Sequence, residues 1–184
     1  MSLILLLPIV FFILLTPIVE ARGTDFNNRI EISKQEFTIS TVYEWRARAD
    51  RGEAIAQYNL GVIRENGYGI SQDVSSAVKW YKLAAEQGMA AAQYNLGLMY
   101  ELGRGTFQDY NDAARWYKQA AKNGNANAQN NLGVLYMRGL GVPLDYQAVS
   151  LWFKRAANQG KTSAQYNLGF IYDNGLGVSQ DYYS

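Results

Sequence analysis

The sequence predicts an all-α fold, an α-solenoid of antiparallel helix pairs, and three observations predict it. The hexapeptide AQYNLG begins at Ala56, returns at Ala92 and Ala164, and reads AQNNLG at Ala128, always 36 residues apart. The glycine pairs Gly67/Gly69, Gly103/Gly105, Gly139/Gly141 and Gly175/Gly177 keep that interval, as do Asp73, Asp109, Asp145 and Asp181 and the residues Trp80, Trp116 and Trp152. No residue is inserted or deleted along the array. Self-similarity at a fixed period of some tens of residues marks stacked supersecondary units, each buried mainly against its neighbours.

The elements follow in chain order. Leu3 to Val19 is apolar except for Thr16 and carries no charge, and Val19-Glu20-Ala21 offers modest residues to a signal peptidase. Residues 1–21 are therefore expected to be an export signal cleaved after Ala21, with an uncleaved membrane anchor as the alternative. Residues 22–40 are polar and aperiodic, a spacer. The array spans 41–184: a half-repeat cap helix running from hydroxyl N-cap candidates at Ser40/Thr41 to Gly52, three full repeats, and an incomplete fourth. Asp181-Tyr182-Tyr183-Ser184 starts a last helix and stops, as in a truncated reading frame or an end covered by another chain.

Within a unit, helix A carries Ala92, Leu96, Gly97 and Tyr100 on one amphipathic stripe. It ends at the glycine pair, where a left-handed backbone turns the chain. A bare glycine inside a helix costs about 1 kcal/mol of propensity, so its repetition at Gly61, Gly97, Gly133 and Gly169 predicts close backbone approach by the partner helix. Asp109 is expected to N-cap helix B, which presents Ala113, Trp116, Tyr117, Ala120 and Ala121 and stops at Gly124. A Ca²⁺ ladder along Asp73, Asp109 and Asp145 is the rival reading, but capping accounts for each carboxylate singly. The runs GYGI, GRGT and GLGV lack the Lys-Ser/Thr of a phosphate loop and are turns.

The pattern A-x-A-Q-Y-N-L-G-x-x-Y-x-x-G-x-G-V-x-x-D-x-x-x-A-x-x-W-Y-x-x-A-A-x-x-G resembles the Sel-one-like repeat (SLR) family, a branch of the tetratricopeptide-like solenoids, over residues 41–184. Departures are small: Arg64 where Tyr100, Tyr136 and Tyr172 stand, Asn130 for Tyr, Thr106 for Val and Val149 for Ala. The resemblance implies a non-catalytic adaptor that holds other proteins together, and for exported bacterial members a role at the envelope or in host contact.

Composition narrows the chemistry. With no Cys and no His, thiol and imidazole catalysis, Cys/His zinc sites and disulfides are absent by inventory. No cofactor or metal is expected. Residues 22–184 hold 17 Lys+Arg and 15 Asp+Glu, 17 − 15 = +2, too balanced for a nucleic-acid groove. Membrane contact is expected only through an unprocessed N-terminal segment.

A helical wheel with Leu96, Gly97 and Tyr100 inward defines an opposite side of helix A, and the resemblance to tetratricopeptide-like solenoids implies that this side lines the concave, partner-binding face. The candidates are Glu65 and Asn66; Leu98, Glu101 and Leu102; Val134, Met137 and Arg138; and Phe170, Asp173 and Asn174. Tyr58, Tyr94 and Tyr166 share that side, but they recur so faithfully that packing between adjacent A helices is the better reading. Positions that differ between copies, Glu65/Glu101/Met137/Asp173 and Asn66/Leu102/Arg138/Asn174, are the better recognition candidates, and replacing Met137 and Arg138 by acids is expected to leave melting nearly unchanged. A protein scaffold is the leading function. A glycan or cell-wall binding module using the tyrosines is the alternative, and a carboxylate-dependent wall hydrolase, which needs two convergent carboxylates in a cleft, comes last.

Overall fold

A computed structural model describes residues 39–176, so the expected export signal, most of the spacer and Asp181 lie outside the described residues. The helices are α1 Ile39–Asp50, α2 Ala54–Asn66, α3 Val74–Glu86, α4 Ala90–Leu102, α5 Tyr110–Lys122, α6 Ala126–Arg138, α7 Tyr146–Asn158 and α8 Thr162–Asp173. α1 is the half-repeat; α2, α4, α6 and α8 are A helices and α3, α5 and α7 are B helices. α1 already begins at Ile39, so Ser40 and Thr41 sit inside its first turn and are not its N-cap. Each helix packs on the one before it and the one after it.

The helix ends follow the sequence closely because they are set by local chemistry. Gly67, Gly103 and Gly139 take left-handed φ of 71°, 65° and 65° at the C-caps of the first three A helices. The second glycines Gly69, Gly105 and Gly141 are left-handed as well, and two of them also permit a close approach. A Cβ at Gly105 would lie 2.5 Å from the Val74 carbonyl oxygen at the start of the preceding B helix, and one at Gly141 would collide with that of Tyr110. Both glycines turn the chain, and Gly105 and Gly141 in addition let one unit touch the one before it.

Each B helix starts on its aspartate. The Asp73 carboxylate accepts from Ser76 N, Asp109 from Asn111 N and Asp112 N, and Asp145 from Gln147 N and Ala148 N, at 2.8–3.1 Å. These donors, led by Asp112 N, hold the Asp109 carboxyl below its ordinary value. A depressed carboxylate contributes stability that is present above the unfolded-state pKa and disappears as pH falls through the folded one. Asp109→Ala is expected to lower Tm by a few degrees at pH 7 and to flatten the acid limb of the Tm–pH profile, whereas Asp109→Asn, still a good cap, recovers most of the neutral-pH loss. Equal damage from both would remove the capping explanation.

The core is a series of clusters passed from unit to unit. Val42, Ala49, Ala56, Leu60 and Ile63 form the first, between α1 and α2. The next joins α3 and α4 but also holds Trp116 of α5, and the one after joins α5 and α6 and holds Trp152 of α7. The recurring tryptophan thus buries its ring in the preceding unit. Ala92 and Leu96 are fully buried as expected, while Tyr100 is half-buried and Met99, with its equivalents Ile63 and Leu135, reaches at most 1% exposure. Helix A is gripped by B helices on two sides, so its buried arc is wider than the stripe read from the wheel.

Candidate partner-binding face

The glycine, tyrosine and glutamine of the hexapeptide each have a structural task in the earlier copies. The glycine is a notch: a Cβ on Gly61, Gly97 or Gly133 would come within 2.6–2.7 Å of the ring of Tyr81, Tyr117 or Phe153. The close neighbour is an aromatic ring of helix B, which corrects the expectation of backbone approach. Gly169 has nothing within 4 Å. The tyrosine leans on that same helix-B ring, with Tyr58–Tyr81 and Tyr94–Tyr117 centroids 5.8 and 5.9 Å apart. It also packs against the cluster that joins this B helix to the next A helix, so Tyr58 and Tyr94 pack inside the array, against a helix-B ring as well as toward the adjacent A helix that the sequence reading expected. Tyr166, at the last A helix, is 77% exposed.

The glutamine is a clamp that sequence reading did not anticipate. Gln57, Gln93 and Gln129 are buried, and their Nε2 groups donate to the carbonyls of Ala49, Ala85 and Ala121 near the end of the preceding helix, at 3.1–3.3 Å. Their Oε1 atoms accept from the amides of Gln87, Asn123 and Gln159 at 2.7–3.0 Å. A buried amide with both ends satisfied fixes register without a desolvation penalty left over.

Several recognition candidates turn out to be engaged inside the array. The Tyr81 hydroxyl donates to Glu65 at 2.7 Å and the Tyr117 hydroxyl donates to Glu101. Burial, and then the neighbouring carboxylate, push both phenols well above their ordinary range. Glu65 also pairs with Arg104 Nη1 of the next unit at 3.1 Å. Asn131 Nδ2 donates to the Tyr117 hydroxyl at 3.2 Å. In the third unit, Met137 stands where the glutamates stand and Phe153 where the tyrosines stand. Met137 packs on the cluster that contains Phe153. Acid accompanies hydroxyl, and apolar accompanies apolar, so the variation at 65, 101 and 137 has an internal cause. Met137→Asp is accordingly expected to cost stability, contrary to the sequence expectation. Val134 is also packed on that last cluster, and Leu98 is half-buried.

What stays outward is a narrower set: Asn66, Leu102, Arg138, Phe170, Asp173 and Asn174 are exposed. Asn66 and Asn174 fold their amides back onto the carbonyls of Val62 and Phe170 at 2.9 and 2.8 Å. Leu102 and Arg138 therefore provide the apolar and cationic character of this row, whereas Phe170 lies on the last described helix and its equivalents Val62, Leu98 and Val134 are half-buried. Loops connecting A to B helices add Phe107, 94% exposed, and Leu144; their outward position was not legible because nothing periodic marks residue 107.

A family model described as "Sel1 repeat" matches residues 54–89, 90–125, 126–161 and 162–183. Among solved structures, a protective antigen of uropathogenic Escherichia coli strains with an SLR fold is 43% identical over 77% of this chain, at a TM-score of 0.74. A Sel1 repeat protein from Oxalobacter formigenes is 34% identical over 77%, at 0.70. Cysteine rich protein B of Helicobacter pylori, 19% identical over 69% of this chain and 91% of its own, shares the fold at 0.55. The chain spans 30% of the Escherichia coli protein and 61% of the Oxalobacter one. No curated protein matches it.

Proposed function

This chain belongs to the Sel1 repeat family, and on that premise we propose that it is a non-catalytic scaffold, exported to the cell envelope or beyond, that holds a protein partner on the outward row of its A helices. Members of this family are generally protein-interaction scaffolds. The observation that carries the reading is the row 66, 102, 138, 174, which reads Asn, Leu, Arg, Asn with no two neighbouring copies alike, and in which Leu102 remains 54% exposed although the array buries comparable side chains elsewhere. Exposed large side chains beside an arginine suit a protein interface better than a polar ligand. Export is supported by the apolar run Leu3 to Val19 and by the similarity to a protective antigen.

The test is affinity capture from envelope and secreted fractions, with the chain as bait and Leu102→Asp/Arg138→Glu as control. Both positions are exposed, so Tm is expected to move by no more than about 0.5 kcal/mol equivalent while capture falls at least about tenfold. Capture that survives the double variant places the partner elsewhere. Retention on isolated wall polysaccharide, with no protein captured, replaces the protein partner with a glycan.

A further inference from the structure

Arg64 is the departure from the repeat that the fold leaves unexplained. At the equivalent positions Tyr100 and Tyr136 lay their rings between two core clusters each. At the first unit the ring is missing, and a cavity of about 410 Å³ opens between α1, α2 and the loop that follows α2. Its walls include Val42, Leu60 and Ile70, with Ile39 and Tyr43 at its mouth, 62% and 71% exposed, and Arg64 across from them.

The arginine is short of partners. Its Nε is buried and meets no hydrogen-bond acceptor, and no described carboxylate forms an ion pair with it. The second arginine on the cavity wall, Arg46, is already spent: its Nε reaches both Asp50 oxygens at 3.0 and 2.9 Å, and its guanidinium lies over Trp80. A buried donor left without an acceptor costs of the order of 1–3 kcal/mol, and a planar guanidinium edge matches a carboxylate in two parallel bonds. We propose that this cavity binds a carboxylate carried on a compact apolar body, with Arg64 holding the anion and Val42, Leu60 and Ile70 receiving the apolar part. Two sources share that chemistry, a peptide ending in an apolar residue and a free small acid. The site is separate from the helix-A row and stands or falls independently of it.

Arg64→Tyr supplies the test, because it restores the residue that the other units carry, fills the cavity and removes the charge together. Calorimetric titration of the full chain with N-acetyl-leucine, its uncharged amide and a short peptide with a carboxy-terminal leucine is the measurement. The acid is expected to bind at least about tenfold more tightly than the amide, Arg64→Tyr to abolish binding with Tm unchanged or raised, and Arg64→Gln to lose the preference for the acid. A peptide that binds at least as well as N-acetyl-leucine identifies a chain end as the ligand; a peptide that is excluded identifies a free acid. Acid and amide binding alike, binding untouched by Arg64→Tyr, or no binding up to about 10 mM, a level that corresponds to less than about 3 kcal/mol, overturns the assignment.

Discussion

Gly97→Leu is expected to lower stability by about 3 kcal/mol or more and to split the unfolding transition in two. Two effects oppose one another at this site. Removing a mid-helix glycine returns about 1 kcal/mol of helix propensity, but the first added carbon would sit 2.7 Å from two ring carbons of Tyr117. That ring cannot swing away, since Tyr117 is fully buried and its hydroxyl is held by Glu101 and Asn131. Overpacking of this kind costs about 1–3 kcal/mol for a methylene or two, and leucine adds more, so the steric effect wins. Because each unit leans only on its neighbours, the damage separates the units before it from those after it. The control removes the opposing ring: in a Tyr117→Ala background, Gly97→Leu is expected to cost at least about 1 kcal/mol less than in the parent. An equal cost in the two backgrounds would sink the notch argument.

The second large effect is a coupling. Tyr117→Phe leaves the half-buried Glu101 carboxylate without its phenol donor, and Glu101→Met strands a buried hydroxyl; each is expected to cost about 1.5–3 kcal/mol, the range for hydrogen bonds to charged groups. The double variant writes the Met137/Phe153 pair of the third unit into the second, so it is expected to recover about 1 kcal/mol or more relative to additivity. Asn131 also loses an acceptor; in the fourth unit the equivalent Asn167 donates instead to Asn130, at 3.2 Å, in the place of a tyrosine. Alkaline pH gives an independent check. Both phenols are raised, so their contribution is intact below the unfolded tyrosine value of about 10 and is lost as pH climbs above it. The alkaline fall in Tm should shrink in the double variant. Strict additivity, with an unchanged alkaline limb, would mean that the matched pairs across the repeats are coincidental.

Features with a partner within a few residues were legible in the sequence: the period, the helix ends at Gly67, Gly103 and Gly139, the aspartate caps. What escaped was chemistry whose two halves lie far apart in the chain. Gln93 reads as one more polar letter until Ala85 and Asn123 are seen around it. The Glu101–Tyr117 bond spans 16 residues, yet its trace was present, because acid and hydroxyl are both kept at 65/81 and 101/117 and both lost at 137/153. Treating variation as a sign of recognition, without asking what varies with it, put Glu65, Glu101 and Met137 on the wrong side of the ledger between surface and interior. The wheel erred for a related reason: it assumed one contacting neighbour, and helix A has two, which is why Met99 and Ile63 are buried. Arg64 looked like a minor substitution because a sequence shows the letter that changed and not the space that the former letter filled.

The glutamine clamp has a consequence for how such a gene can change. Its bonds join an A helix to a carbonyl eight residues back and to an amide thirty residues ahead, and both partners recur in the first three copies. Excising or duplicating one whole unit of DNA, wherever in the array the cut falls, rejoins each half-bond to an equivalent half; a cut one codon longer or shorter misaligns the helix faces across the junction. Length is therefore cheap to vary in this lineage and thickness is not, and a recombination hotspot within the array would yield proteins that differ by multiples of a single register.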